Sequence, residues 1–165
     1  AARGLLQRCG DARLPSARRA DYALAASRLL ALGGDQAEAA RALAAGAVVR
    51  PDHPQVQHNL GNALLAQDRF AEALAAFAAA VDANGRQAGS ALNAGVCALR
   101  LGRTDEAEAW FRRTVAIEPG RFDAWANLAA LLSRRGDRAG ARKAMERAVE
   151  LRPDDPVLRE RLRAM

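Results

Sequence analysis

The stretch AGSALNAGVCALRLGRTDEAEAWFRRTVAIEPGR, residues 88–121, is followed directly by FDAWANLAALLSRRGDRAGARKAMERAVELRPDD, residues 122–155. Asn93 answers to Asn127, Gly102 to Gly136, Ala107 to Ala141 and Pro119 to Pro153, each pair 34 residues apart. Stepping outward by the same interval returns Asn59, Ala73 and Ala39, Gly34 and Pro51, and the register holds without a gap from Ala20 to Asp155. A period of this length marks a stack of like units, so function is sought on a shared surface and not in one pocket.

Each unit reads as two helices. In residues 54–87 the first is expected over Pro54 to Gln67, with Val56, Leu60, Leu64 and Leu65 on one side. The second is expected over Phe70 to Ala83, with Leu74, Phe77 and Val81 on one side. Gly34, Gly102 and Gly136 can take the left-handed conformation that ends a first helix, and Pro51, Pro119 and Pro153 close the second. Residues 54–87 have Gly85 in place of the proline, which predicts a less constrained exit turn.

Two rows of small residues permit close crossing: Ser27, Gly61, Gly95 and Ala129 in the first helices, Ala39, Ala73, Ala107 and Ala141 in the second. Leu43, Phe77, Phe111 and Met145 are expected to fill the complementary places, followed by Ala47, Val81, Val115 and Val149. The unit at 20–53 is the most degenerate, with Gly46 where the next unit has Ala80.

Composition agrees with an all-α chain. Of 165 residues, 42 are alanine, the best helix former, and aromatic residues make up only 4%. The longest uncharged apolar run, Ala73 to Val81, is far short of the roughly 20 residues of a membrane-spanning helix. Cys9 and Cys97 are isolated thiols without CxxC spacing, which makes a reducing, cytoplasmic setting the expectation. The formal charge of +6 comes from arginines interleaved with acids, the pattern of solvated helix faces more than of a nucleic-acid patch.

On these residues the chain resembles the tetratricopeptide repeat family. Residues 88–121 match best, through Asn93, Gly95, Gly102, Ala107, Phe111 and Pro119, and the next unit adds Trp125 and Leu128. The resemblance implies an all-α, right-handed superhelical solenoid of antiparallel helix pairs. Four repeats are expected at 20–53, 54–87, 88–121 and 122–155, after a partly helical flanking segment at 1–19. Residues 156–165 suit a capping helix through Leu158 and Leu162. In the flanking segment Gly4 and Gly10 are expected to interrupt any helix, and Leu14-Pro15-Ser16 to turn the chain into the first repeat.

No catalytic constellation is visible, and no cofactor or metal is implied. His53 and His58 have no acidic or thiol partner at ligand spacing, and GxSxG, HExxH and phosphate-cradling loops are absent. Cys97 and Trp125 read as packing residues. Trp110 stands among Ala42, Ala76 and Ala144, as a bulky core residue or as a docking anchor.

In stacked helix pairs the first helices line the inner wall, and Asn59, Asn93 and Asn127 form a row there. The resemblance implies that this row faces a groove. In the repeat domain of the O-linked N-acetylglucosamine transferase, a family member, such asparagines hold the backbone of bound peptides. A carboxamide offers both donor and acceptor to a peptide bond, and Asn62 could extend the row. The alternative is that these amides bond a neighbouring helix.

His58 and the pair Arg100 and Arg134 fall on adjoining groove rows. The lysine-rich carboxylate clamp of chaperone-binding relatives is not reproduced: the single Lys143 lies in a second helix, and Asp123 stands where that clamp wants positive charge.

The sequence thus points to a non-catalytic module that binds a protein or peptide ligand, either an extended peptide or a partner helix. Two alternatives are the substrate-docking segment of a larger enzyme (glycosyltransferase, sulfotransferase or methyltransferase) and, more weakly, an RNA-binding α-solenoid. The latter would need a base-reading code in each unit, and none is evident. An uncovered solenoid end would offer a route to self-association.

Overall fold

The computed structural model describes residues 1–165. The chain forms ten helices and no strand. It divides into two compact units, Ala1–Ser90 and Ala91–Met165.

The first unit holds α1 (Ala2–Gly10), α2 (Ser16–Leu32), α3 (Gln36–Val49), α4 (Pro54–Leu65), α5 (Phe70–Ala83) and the first turn of α6 (Ala88–Arg100). Here α1 packs on α2, α2 on α3, α3 on α4 and α4 on α5. The second unit holds the rest of α6, then α7 (Thr104–Ile117), α8 (Phe122–Arg134), α9 (Arg138–Leu151) and α10 (Pro156–Arg163). In it α7 packs on α8, α8 on α9, and α9 on α10, where Leu158 is buried.

The close crossings of the sequence reading are present in both units. Gly61 lies against Phe77 and Gly95 against Phe111, and both rings are fully buried. Ala39, Ala73, Ala107 and Ala141 are buried, as are Leu43, Phe77, Phe111 and Met145. The next row differs from expectation. The innermost places belong to Gly46, Ala80, Thr114 and Ala148, while Ala47, Val115 and Val149 are half-buried and only Val81 is fully enclosed. Positions three and four residues on from Leu43 share a helix face, and the side chains at the crossing select the first of them. Gly46 is one such case: a β-carbon there would stand 2.7 Å from that of Ala23.

The first-helix turns repeat one geometry. Gly34, Gly102 and Gly136 have φ of 83°, 74° and 83°, and Asp68 takes the same place with φ 57°. Asp68 is why α4 ends at Leu65 and not at Gln67: the turn is made without glycine, by a residue that tolerates the left-handed region. The residue after each turn starts the second helix. Asp35 and Asp137 cap by accepting from Glu38 N and Gly140 N at 3.0 and 2.9 Å. Arg69 and Arg103, at the same places, have no cap bond and pair instead with Glu72 and Glu106 in the first turn.

The second-helix exits are also alike. His53, Gln87, Arg121 and Asp155 donate their backbone N–H to Arg50, Asn84, Glu118 and Arg152 O at 3.1 to 3.2 Å. The turn at Gly85 therefore closes without its proline, helped by the Asn84 carboxamide, which accepts from Arg86 N at 3.2 Å. In the flanking segment Gly4 does not interrupt the chain: α1 runs through it and stops at Gly10. One glycine in a helix costs about 1 kcal/mol, which burial of Cys9 and packing on α2 offset. No helix is long and apolar enough to cross a membrane.

Candidate functional site

The first unit contains an open cavity of about 260 Å³ between α2, α3 and α4. Buried Ser27, Ala39 and Leu43 form its base; Arg28 and Ala31 line the α2 side, and Asn59, Asn62, Ala63 and Ala66 the α4 side. The space exists because bulk is missing. Ala31 stands where α4 has Leu65 and α6 has Leu99, and Ala63 stands where α6 has Cys97 and α8 has Leu131, both buried.

Two residues of the asparagine group, Asn59 and Asn62, therefore come together at one cavity. The Asn59 Oδ1 accepts from Gln55 Nε2 at 3.1 Å, a bond within α4, and its amide nitrogen has no protein partner. Asn62 is exposed, and its Nδ2 lies 3.0 Å from His58 Nε2. In this orientation the amide nitrogen donates, so Nε2 accepts and the ring proton sits on Nδ1, which donates to Ser90 Oγ at 2.8 Å. Burial lowers the His58 pKa below the ordinary histidine range, which keeps the ring neutral. The ring also packs at 59° on Phe77, with centroids 5.8 Å apart. His58 thus stands behind Asn62 with both nitrogens engaged.

The remaining candidates lie in the second unit. Asn93 and Asn127 are half-buried on α6 and α8, and Arg100 and Arg134 are exposed at the last residues of those helices. Asp123 accepts from Ala124 N at 2.8 Å and pairs with Arg121. Trp125 donates Nε1–H to Pro119 O at 2.9 Å, and Arg113 lies over the half-buried Trp110 ring at 5.3 Å. Cys97 is fully buried, and desolvation pushes its thiol up to about 11.

Arg28, Ala31 and Ala63 escaped the sequence reading, which weighed what recurs and not what is missing. Their signal was the loss of a large residue at two repeat places in one unit.

The chain matches two tetratricopeptide repeat family models, over residues 58–122 and 98–165. It is 30% identical over 102 residues to the tetratricopeptide repeat-containing protein trd-1 of Caenorhabditis elegans, covering 62% of this chain and 13% of that protein. A second relative, the probable biofilm formation methyltransferase WspC of Pseudomonas aeruginosa, is 47% identical over 47 residues, 28% of this chain and 11% of its own length. The chain thus spans a small fraction of either relative.

Among solved structures, MamA superposes with a TM-score of 0.76 at 22% identity, over 81% of this chain and 78% of that one. The first TPR of Spaghetti (RPAP3), bound to the HSP90 peptide SRMEEVD, superposes with a TM-score of 0.63 at 23% identity, over 67% and 88%. These likenesses are of fold. With helix pairs recurring every 34 residues and family matches running from residue 58 to 165, the chain belongs to the tetratricopeptide repeat family.

Proposed function

We propose that this chain is a non-catalytic interaction module that binds an extended peptide through the carboxamides of its first helices. The observation that carries this is the placing of Asn59 and Asn62 on one wall of an open cavity, with the Asn59 amide nitrogen unengaged. A peptide carbonyl accepts from such a nitrogen without any reading of side chains. Asn93 and Asn127 are given the same role in the second unit, with Arg100 and Arg134, at the last residues of α6 and α8, on the side proposed to meet acidic side chains of the ligand. A peptide on a related fold, the HSP90 peptide on the first TPR of Spaghetti, lends support in kind.

The test is affinity capture by the immobilised chain beside a variant carrying Asn59→Ala, Asn93→Ala and Asn127→Ala together, with bound proteins identified by mass spectrometry. Loss of capture at unchanged helicity and melting supports the reading. Equal capture by both proteins rejects it.

A second reading rests on the match to a methyltransferase over 47 residues. In it, this stretch is the docking segment of a larger enzyme. A catalytic domain in the same reading frame would support that reading, and a frame without one would end it.

A further inference from the structure

We propose that the cavity between α2, α3 and α4 is a side-chain pocket for one apolar residue of an internal peptide segment that carries an Asp or Glu beside it. This rests on the peptide-binding reading above and adds what the peptide must contain.

Size comes first. At about 260 Å³ the cavity falls below the roughly 300–1,000 Å³ of small-molecule pockets. It exceeds the roughly 150 Å³ cavity that admits benzene. One apolar side chain, aliphatic or aromatic, fits that range. The lining supports it: Ala31, Ala39, Leu43, Ala63 and Ala66 supply apolar surface, and the Asn59 and Asn62 amides stand at its α4 edge, where a backbone would pass. Leu32, one turn beyond Arg28 on α2, is 86% exposed and extends the apolar surface on that helix.

Charge selects the neighbour. Arg41, Arg50 and Arg69 of the same unit each hold a carboxylate, whereas exposed Arg28 holds none, and no acidic residue lines the cavity. An anionic group next to the seated side chain would complete it. A single exposed guanidinium is too little to capture a chain terminus, which takes several convergent donors. The acid is therefore a side chain, and the segment is internal.

The experiment is selection of the whole chain against phage-displayed random linear peptides whose C-termini are fused to the coat protein. Enriched peptides are then titrated by fluorescence anisotropy. The expected result is enrichment of an apolar residue next to Asp or Glu, with affinity reduced about tenfold or more by Ala63→Leu and by Arg28→Glu. Ala63→Leu fills the space with the residue that α8 carries at Leu131. Circular dichroism checks its fold; Arg28→Glu alters an exposed, unpaired residue and decides alone should Ala63→Leu unfold. If enriched peptides lose binding with Asn59→Ala yet ignore both pocket variants, the pocket is wrong and the peptide reading stands. If no peptide is enriched, both fall.

Discussion

Gly95 sits so close to the Phe111 ring that a β-carbon built on it would stand 2.6 Å from Cε1 and 2.8 Å from Cδ1. The ring is fully buried and has nowhere to withdraw. Gly95→Ala is expected to lower stability by about 1–2 kcal/mol, because overpacking of a core outweighs alanine's better helix propensity. Gly61→Ala should behave alike against Phe77, where the same distance is 2.6 Å. Urea unfolding measures both; a rise in midpoint would show that the crossing is loose.

Trp125 and Gln57 occupy the same repeat position and make the same bond, to the carbonyl of the proline six residues back: Pro119 at 2.9 Å and Pro51 at 3.0 Å. Each ties a first helix to the turn that precedes it. Trp125→Phe keeps the ring and loses the donor, so it should cost about 0.5–1.5 kcal/mol. Gln57 is buried, and Gln57→Leu likewise removes the donor to the exposed turn at Pro51, so it should cost a similar amount. Equal stability of all three proteins would remove this bond from the account of the fold.

The Cys97 thiol, held near 11 by burial, should resist alkylation at pH 8 in the native chain and react on unfolding. The linkage has a definite sign. The folded state keeps a proton that the unfolded thiol, with its ordinary value of 9.0, releases first. Stability is therefore full below pH 9 and falls as pH rises towards 11, by up to about 2–3 kcal/mol. In Cys97→Ala that part of the decline should vanish, as read from denaturant midpoints across the range.

Glu108 is a buried acid on α7, paired with Arg112 one turn on and with Arg135 beyond the end of α8; Arg135 also reaches Asp105 at 2.8 Å. Glu108→Ala should cost about 1–3 kcal/mol, because hydrogen bonds to charged groups are stronger than neutral ones. The Glu108→Ala and Arg135→Ala losses should add to more than the loss in the double variant. Strict additivity in the cycle would mean that the pair contributes nothing.

The helical repeat was legible because it is written in residues that recur: the Gly95 and Phe111 crossing returns as Gly61 and Phe77, and the turn glycines Gly34, Gly102 and Gly136 lie at whole multiples of the period. Features made by exchange at one place were harder to read. Asp68 ends α4 early because a left-handed residue need not be glycine, and a single residue separates the Val115 row from the buried Thr114 row. The cavity beside Asn59 depends on two absent side chains, at Ala31 and Ala63, and a void is set by how neighbouring helices close over it. His58 and Ser90 meet across 32 residues. Their rows are visible in the sequence, but the bond between them depends on rotamers and burial.

The division into Ala1–Ser90 and Ala91–Met165 puts both tryptophans, Trp110 and Trp125, in the second unit and the single Tyr22 in the first. The molecule thus carries a natural optical label on one half only. Indole emission reports the melting of residues 91–165, while backbone dichroism reports every helix, so the two curves coincide only if the halves unfold as one cooperative body.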